Sequence, residues 1–217
     1  MNQIRLQDYI ENPCKSSSLP YWKTKSISFP VDMLIVHDEQ YKTGNFDEYN
    51  DELYFRLQHS MNALLKPELP HGYDIISATV NEYVIHINDC YSDLSVTDDI
   101  IRSYADHAVY DANLWVAVAD AETKQIVASG IAEYDPEVSE GALEWIQVTE
   151  AYRGKGLGQF IVSELLWRMR EKAAFVTVSG KVNNETNPER LYRKCGFTGS
   201  DVWHILRRNK QIGQTGD

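Results

Sequence analysis

The sequence predicts an α/β (α+β) fold: a mixed sheet flanked by helices, preceded by an N-terminal extension. Three observations support this. From residue 72 onward, apolar runs alternate with stretches of helical period in the order β-α-α-β-β-β-α-β-α-β. Leu143 to Met169 reads as strand, glycine turn and helix, with Arg153-Gly154-Lys155-Gly156-Leu157-Gly158 at the junction. The chain has 217 residues, 43% of them hydrophobic and 24% charged, which suits a soluble domain able to bury a full core.

The extension spans residues 1–70. Its first part, to about residue 44, holds Pro13, Pro20, Tyr21, Trp22, Phe29 and Pro30 without a helical period, yet with too many aromatics for simple disorder. Met33 to Val36 is a short apolar run that suits a strand. Phe46, Tyr49, Leu53, Leu57, Met61, Leu64 and Leu65 lie on one face of an amphipathic helix over 46–65, ending before Pro67. Pro67 to Gly72 reads as a linker.

The main domain, 71–208, opens with a strand at Tyr73, Ile75 and Ile76. Helices are expected over Glu82 to Tyr91 and Asp98 to Val109. Leu114 to Val118 and Ile126 to Ala132 flank Asp120 to Lys124 as a hairpin. A strand from Leu143 to Val148 enters the glycine turn. The helix behind it places Leu157, Phe160, Ile161, Leu165 and Met169 on one face. Phe175 to Val178 alternates as a strand. Asn187-Pro188 combines a cap with proline at the first helical position, and Gly196 ends that helix. Val202 to Leu206 closes the sheet, and 209–217 is a polar tail.

The net charge of −11 argues against a nucleic-acid partner, which needs a basic face. Such acidity attracts a cationic small molecule such as an amine, or simply keeps the protein soluble. Cys14, Cys90 and Cys195 are odd in number and widely spaced, against a disulfide framework or zinc site and in favour of a reducing, cytoplasmic compartment. The first thirty residues lack the apolar run of a signal peptide, and no stretch approaches the roughly eighteen apolar residues of a membrane span. The glycosylation pattern Asn184-Glu185-Thr186 matters only in a secreted protein. The six histidines form no His-x-x-x-His pair, so no metal is expected.

A glycine turn at a helix start leaves backbone N–H groups unpaired, and with the helix dipole they can hold an anion. The chain has no P-loop string, and Gln159 stands where a dinucleotide fingerprint would place its last glycine. What remains is Arg-x-x-Gly-x-Gly, at Arg153, Gly156 and Gly158; turns of this kind also serve as plain punctuation.

The element order, with this turn after the fourth strand, resembles the GNAT N-acetyltransferase superfamily over about residues 72–207. The resemblance rests on Trp145 through Gly158, close to that family's acetyl-CoA signature, and on Asn187 through Leu191-Tyr192-Arg193-Lys194-Cys195-Gly196-Phe197. It implies a mostly antiparallel central sheet and acetyl-CoA as co-substrate. By the same resemblance the amides of Arg153, Gly154, Lys155, Gly156, Leu157 and Gly158 hold the CoA pyrophosphate. The strand end at Ile146, Gln147 and Val148 pairs with the pantetheine arm where a bulge splays two strands. Asn183, Asn184 or Asn187 binds a pantetheine amide, although Asn187 is also wanted as a helix cap.

The implied activity moves an acetyl group from acetyl-CoA to a primary amine, small-molecule or peptide, by direct attack. An alkylamine is mostly protonated at neutral pH, so a base or an ordered water must take its proton. Glu144 and Glu133, carboxylates in apolar strands, are the candidates, since burial raises a carboxylate pKa. Glu144 alternates with Ile146 and Val148, which counts against it if that face is core. Tyr192 matches the family's thiolate-protonating tyrosine, and an amide near Val148 would stabilise the oxyanion. Cys195 has no histidine beside it in sequence and reads as a small hydrophobe. Trp115, Trp145, Trp167 and Trp203 read as core; Tyr21 and Trp22 read as core or as a wall of the acceptor pocket. The competing classes are a non-catalytic acyl-CoA-binding sensor or partner-binding module on the same fold, and an unrelated phosphate-binding α/β protein. A homodimer is left open.

Overall fold

The computed structural model describes residues 4–92 and 94–209. Three short helices come first: α1 (Leu6–Glu11), α2 (Pro13–Ser16) and α3 (Tyr21–Ser26). Strands β1 (Met33–His37), β2 (Tyr49–His59) and β3 (Tyr73–Ile76) follow, then helices α4 (Val80–Cys90) and α5 (Asp98–Ser103). The rest runs β4 (Trp115–Asp120), β5 (Ile126–Asp135), β6 (Glu140–Val148), α6 (Leu157–Met169), β7 (Phe175–Lys181), α7 (Pro188–Lys194) and β8 (Thr198–Arg208). From residue 72 the order is the expected one. The polar tail lies outside the described residues apart from Asn209.

All eight strands form one sheet in the order β1-β8-β2-β7-β6-β5-β4-β3. Among the described residues only β6 and β7 pair in parallel. Helices cover both faces. Leu157, Phe160, Ile161, Leu165 and Met169 of α6 bury into one cluster with Val116, Val118, Ala128 and Leu143. On the opposite face, Tyr83, Val84 and Ile87 of α4 and Ile101 of α5 pack on Ala117 and Ile131. The four tryptophans expected in the core are each half-buried.

The helix expected over 46–65 is a correction: residues Tyr49–His59 form β2, between β7 and β8. The apolar spacing misleads because β2 lies inside a sheet covered on both faces. Phe55, Arg56 and Leu57 are consecutive and all buried, so the strand has no alternation to read. The second helix is also shorter than Asp98 to Val109. It stops at Ser103, whose hydroxyl donates back to the Ile100 carbonyl at 2.8 Å, and a 3-10 turn follows at Tyr104–Asp106.

A buried polar network ties the N-terminal helices to the sheet. The Glu140 carboxylate accepts from Tyr9 Oη (2.7 Å), Thr177 Oγ1 (2.6 Å) and the Tyr21 amide (2.9 Å). Arg56 Nη2 lies 3.3 Å from it and also donates to Tyr9 Oη at 2.9 Å. Its Nη1 donates to the Ser18 carbonyl at 3.2 Å. Charges this deeply buried persist because each has several partners.

Candidate functional site

The site begins with a fault in strand pairing. On β5, Ile131 lies opposite Trp145 but Ala132 lies opposite Leu143, so Glu144 is the extra residue of a β-bulge. The β6–β7 ladder runs from Glu140 opposite Phe175 to Leu143 opposite Val178 and ends there. Beyond that point β7 continues alongside β2, up to Lys181 opposite Tyr54. The two parallel strands therefore part at Glu144, and the β7-facing edge of Ile146, Gln147 and Val148 lies along the gap.

The bulge also corrects the face assigned to Glu144. Leu143 packs with the α6 cluster and Ile146 lies against Gly130 beside Ile161 and Leu165, but Glu144 points the other way, to Lys23 on α3. The extra residue breaks the alternation that grouped Glu144 with Ile146 and Val148.

Below the gap lies the turn. Gly154 (φ +78°) and Gly156 (φ +85°) are left-handed, a conformation in which a Cβ is disfavoured. Gly156 is the N-cap of α6, and no side chain caps that helix, so its first amides face outward without a built-in acceptor. Arg153 Nε donates to the Val148 carbonyl at 3.2 Å and braces the turn against the strand end. Lys155 Nζ sits 4.4 Å from the centre of the Tyr152 ring. Leu157 contributes its side chain to the core, leaving only its backbone at the turn. At Gly158 a Cβ would come within 3.2 Å of Leu191 Cδ2, so this glycine also lets α7 approach.

Three expected ligand residues have local partners. The Gln147 side chain is buried on the α4 side and donates to Ser129 Oγ, which lies 2.8 Å from His86 Nδ1. His86 Nε2 reaches Thr149 Oγ1 at 3.1 Å, and burial lowers the His86 pKa to about 4. Asn184 Oδ1 accepts from the amide and hydroxyl of Thr186 at 2.9 and 2.7 Å. Asn187 caps α7 by accepting from the Arg190 amide at 3.3 Å. Tyr192 is buried against Phe55 and Phe197, with ring centres 6.2 and 5.8 Å away. Burial, then the nearby Tyr91 and Cys195, raises its pKa, so the hydroxyl keeps its proton at neutral pH. Burial also pushes the Cys195 thiol up to about 11, which leaves it a poor nucleophile.

Across the sheet, Glu133 and Glu144 are brought together by residues the sequence did not connect. Glu133 is 2% exposed; its oxygens accept from Trp22 Nε1 at 3.1 Å and lie 2.6 Å from His107 Nδ1. Lys23 Nζ lies 2.6 Å from Glu144 and 3.9 Å from Glu133. Tyr104 Oη approaches Glu144 at 3.5 Å. Burial, then the charge of Glu144, raises the Glu133 pKa to about 7, with Lys23 and His107 opposing. Of these partners only Trp22 was foreseen, as a wall. Lys23, Tyr104 and His107 carried one available signal: two carboxylates in apolar strands must find donors somewhere. Among the described residues no three His, Cys, Asp or Glu side chains group as metal ligands, and no helix is long and apolar enough to cross a membrane.

The chain is similar in structure to a GCN5-related N-acetyltransferase from Sphaerobacter thermophilus, with a TM-score of 0.61 and 17% identity over 73% of this chain and 52% of that one. A GNAT-family acetyltransferase from Colwellia psychrerythraea gives 0.57 and 13%, covering 81% and 64%. A putative GNAT-family acetyltransferase from Novosphingobium aromaticivorans gives 0.53 and 12%, covering 85% and 71%. The chain thus spans about half the length of the Sphaerobacter protein. At such identities these likenesses establish the fold alone. No curated protein matches by sequence. The family model described as acetyltransferase (GNAT) domain matches residues 110–199, the stretch that holds the bulge, the opening, the glycine turn and Tyr192. Residues 110–199 are thus similar to the GNAT acetyltransferase domain, on a chain with the GNAT fold.

Proposed function

We propose that the protein is an acetyl-CoA-dependent N-acetyltransferase that moves the acetyl group to a primary amine by direct attack. The observation that carries this reading is the opening of β6 from β7 at the bulge, with the uncapped α6 turn at one end and the Glu133–Glu144 pair at the other. The pantetheine arm pairs with the free edge at Ile146 to Val148, and the pyrophosphate takes the amides of the turn from Arg153 to Gly158. Asn184 and Asn187 can still offer amide N–H groups, since the oxygens of both are engaged locally. The amine approaches from the α3 side, where the carboxylates favour a cation.

In the reaction, the ammonium gives a proton to Glu144 or Glu133, and the free amine attacks the thioester carbonyl. An amide near Val148 stabilises the oxyanion, the C–S bond breaks, and Tyr192 protonates the leaving thiolate. Three free cysteines suit a reducing cytoplasmic setting. The Lys23–Glu144 ion pair favours one rival, a module that binds acyl-CoA without transferring it, because it occupies the carboxylate the amine would need. The two separate in one experiment. Tyr192→Phe and Glu144→Gln should each lower CoA release from acetyl-CoA and a panel of amines by about a hundredfold while calorimetry shows acetyl-CoA still bound. Binding without turnover in the unaltered protein would identify the rival, and ATP binding in place of CoA would overturn both.

A further inference from the structure

Lys23 is largely enclosed: its side chain is 13% exposed, against 71% for Lys124 and 48% for Lys15. Its ammonium lies 5.4 and 5.9 Å from the centres of the Trp22 and Tyr104 rings, and its nearest carboxylate is Glu144. Simple ion pairing would account for a lysine beside an acidic residue anywhere on the sheet. What sets Lys23 apart is the position of that partner, the bulge residue at which β6 leaves β7. A primary alkylamine of this chain therefore stands at the mouth of the opening, against the two carboxylates suited to take its proton.

We propose that the protein acetylates its own Lys23. The inference rests on the function proposed above, since it uses acetyl-CoA held in that opening as the donor. The Lys23 ammonium passes a proton to the Glu144 carboxylate. The neutral Nζ attacks the thioester carbonyl, an N–C bond forms and the C–S bond breaks. CoA leaves as thiolate; the attacking nitrogen gives up its second proton as the amide forms, Tyr192 relays a proton to the sulfur so that CoA departs as the thiol, and the proton on Glu144 passes to water. The product, an acetyl-lysine, carries no charge and cannot pair with Glu144 or Glu133. Two neighbouring carboxylates are then left without their cation, a condition that favours entry of an external ammonium and loosens the hold of α3.

The test incubates the full chain with acetyl-CoA and follows each lysine peptide by mass spectrometry. Lys23 should gain one acetyl group ahead of exposed Lys124, at a rate independent of protein concentration, because the nucleophile and the donor site share one chain. Chemical acetylation without catalysis would instead favour the exposed lysine. Tyr192→Phe should slow the Lys23 reaction about tenfold or more and leave Lys124 unaffected. Lys23→Arg keeps the charge, and its retained melting temperature would show that the loss of signal is not unfolding. Lys23 left unmodified while acetyl-CoA binds and a free amine is acetylated would overturn the proposal alone, as would modification no faster than at Lys124. Failure of acetyl-CoA to bind would overturn the proposed function and this inference together.

Discussion

Glu133 shows most directly how environment sets the behaviour of one residue. Its pKa of about 7, against an ordinary 4.5, comes first from burial and then from Glu144. Below about pH 4.5 it is protonated whether the chain is folded or not, and its contribution to stability is fully present. As pH rises through about 7, folding must hold a buried charge and that contribution is lost. Glu133→Gln cannot ionise, so its stability relative to the unaltered protein should improve between about pH 5 and pH 8, measured by urea unfolding. Under the proposed reaction the rate runs the opposite way: it should rise through about pH 7, and the glutamine variant should lose that rise. A rate flat across that range would remove Glu133 as the base. The two carboxylates were legible in the sequence because charge is conspicuous in an apolar strand. Their partners were not: Trp22 lies 111 residues from Glu133, on an element with no period to place it.

At the scale of elements, the turn before α6 and the strand β2 make opposite cases. The turn was legible because left-handed backbone demands a residue type, and Gly154 and Gly156 supply it locally. Gly156→Ala would force a Cβ into φ +85° and should cost about 1–2 kcal/mol, read from urea unfolding, and weaken acetyl-CoA binding measured by calorimetry. An unchanged affinity would separate the turn's shape from the proposed phosphate contact. The strand β2 was illegible because its neighbours, not its own pattern, decide it: β7 on one side and β8 on the other complete its hydrogen bonds. Leu57, at 0% exposure, then sits in the middle of the sheet, and Leu57→Ala should destabilise the protein by about 2–5 kcal/mol. A surface amphipathic helix would lose less, so the melt discriminates the two assignments.

For the whole molecule, the network around Arg56 and Glu140 joins what the sequence presents as separate parts. Arg56 comes from β2, Glu140 from β6, Thr177 from β7 and Tyr9 from α1, and their atoms meet within 3.3 Å. Arg56→Met should cost about 3–5 kcal/mol by leaving the Glu140 carboxylate buried without its cation, and adding Glu140→Met should recover part of it. Additive losses in a double-mutant cycle would mean that the two charges do not act as a unit. By itself, the sequence determined the order of elements after residue 72, the glycine turn and the caps of α7, since each depends on local period, backbone strain or a side chain within three residues. The tertiary structure alone decided that Tyr49–His59 form the strand β2, that β1 pairs with β8 in the same sheet, and that a bulge turns Glu144 away from Ile146. It also decided that Lys23 stands between two carboxylates. The pairings of β1 and β2 and the contacts of Lys23 join residues more than a hundred apart, and the bulge is a register shift between β5 and β6; in each case register and burial, rather than local pattern, set the energy.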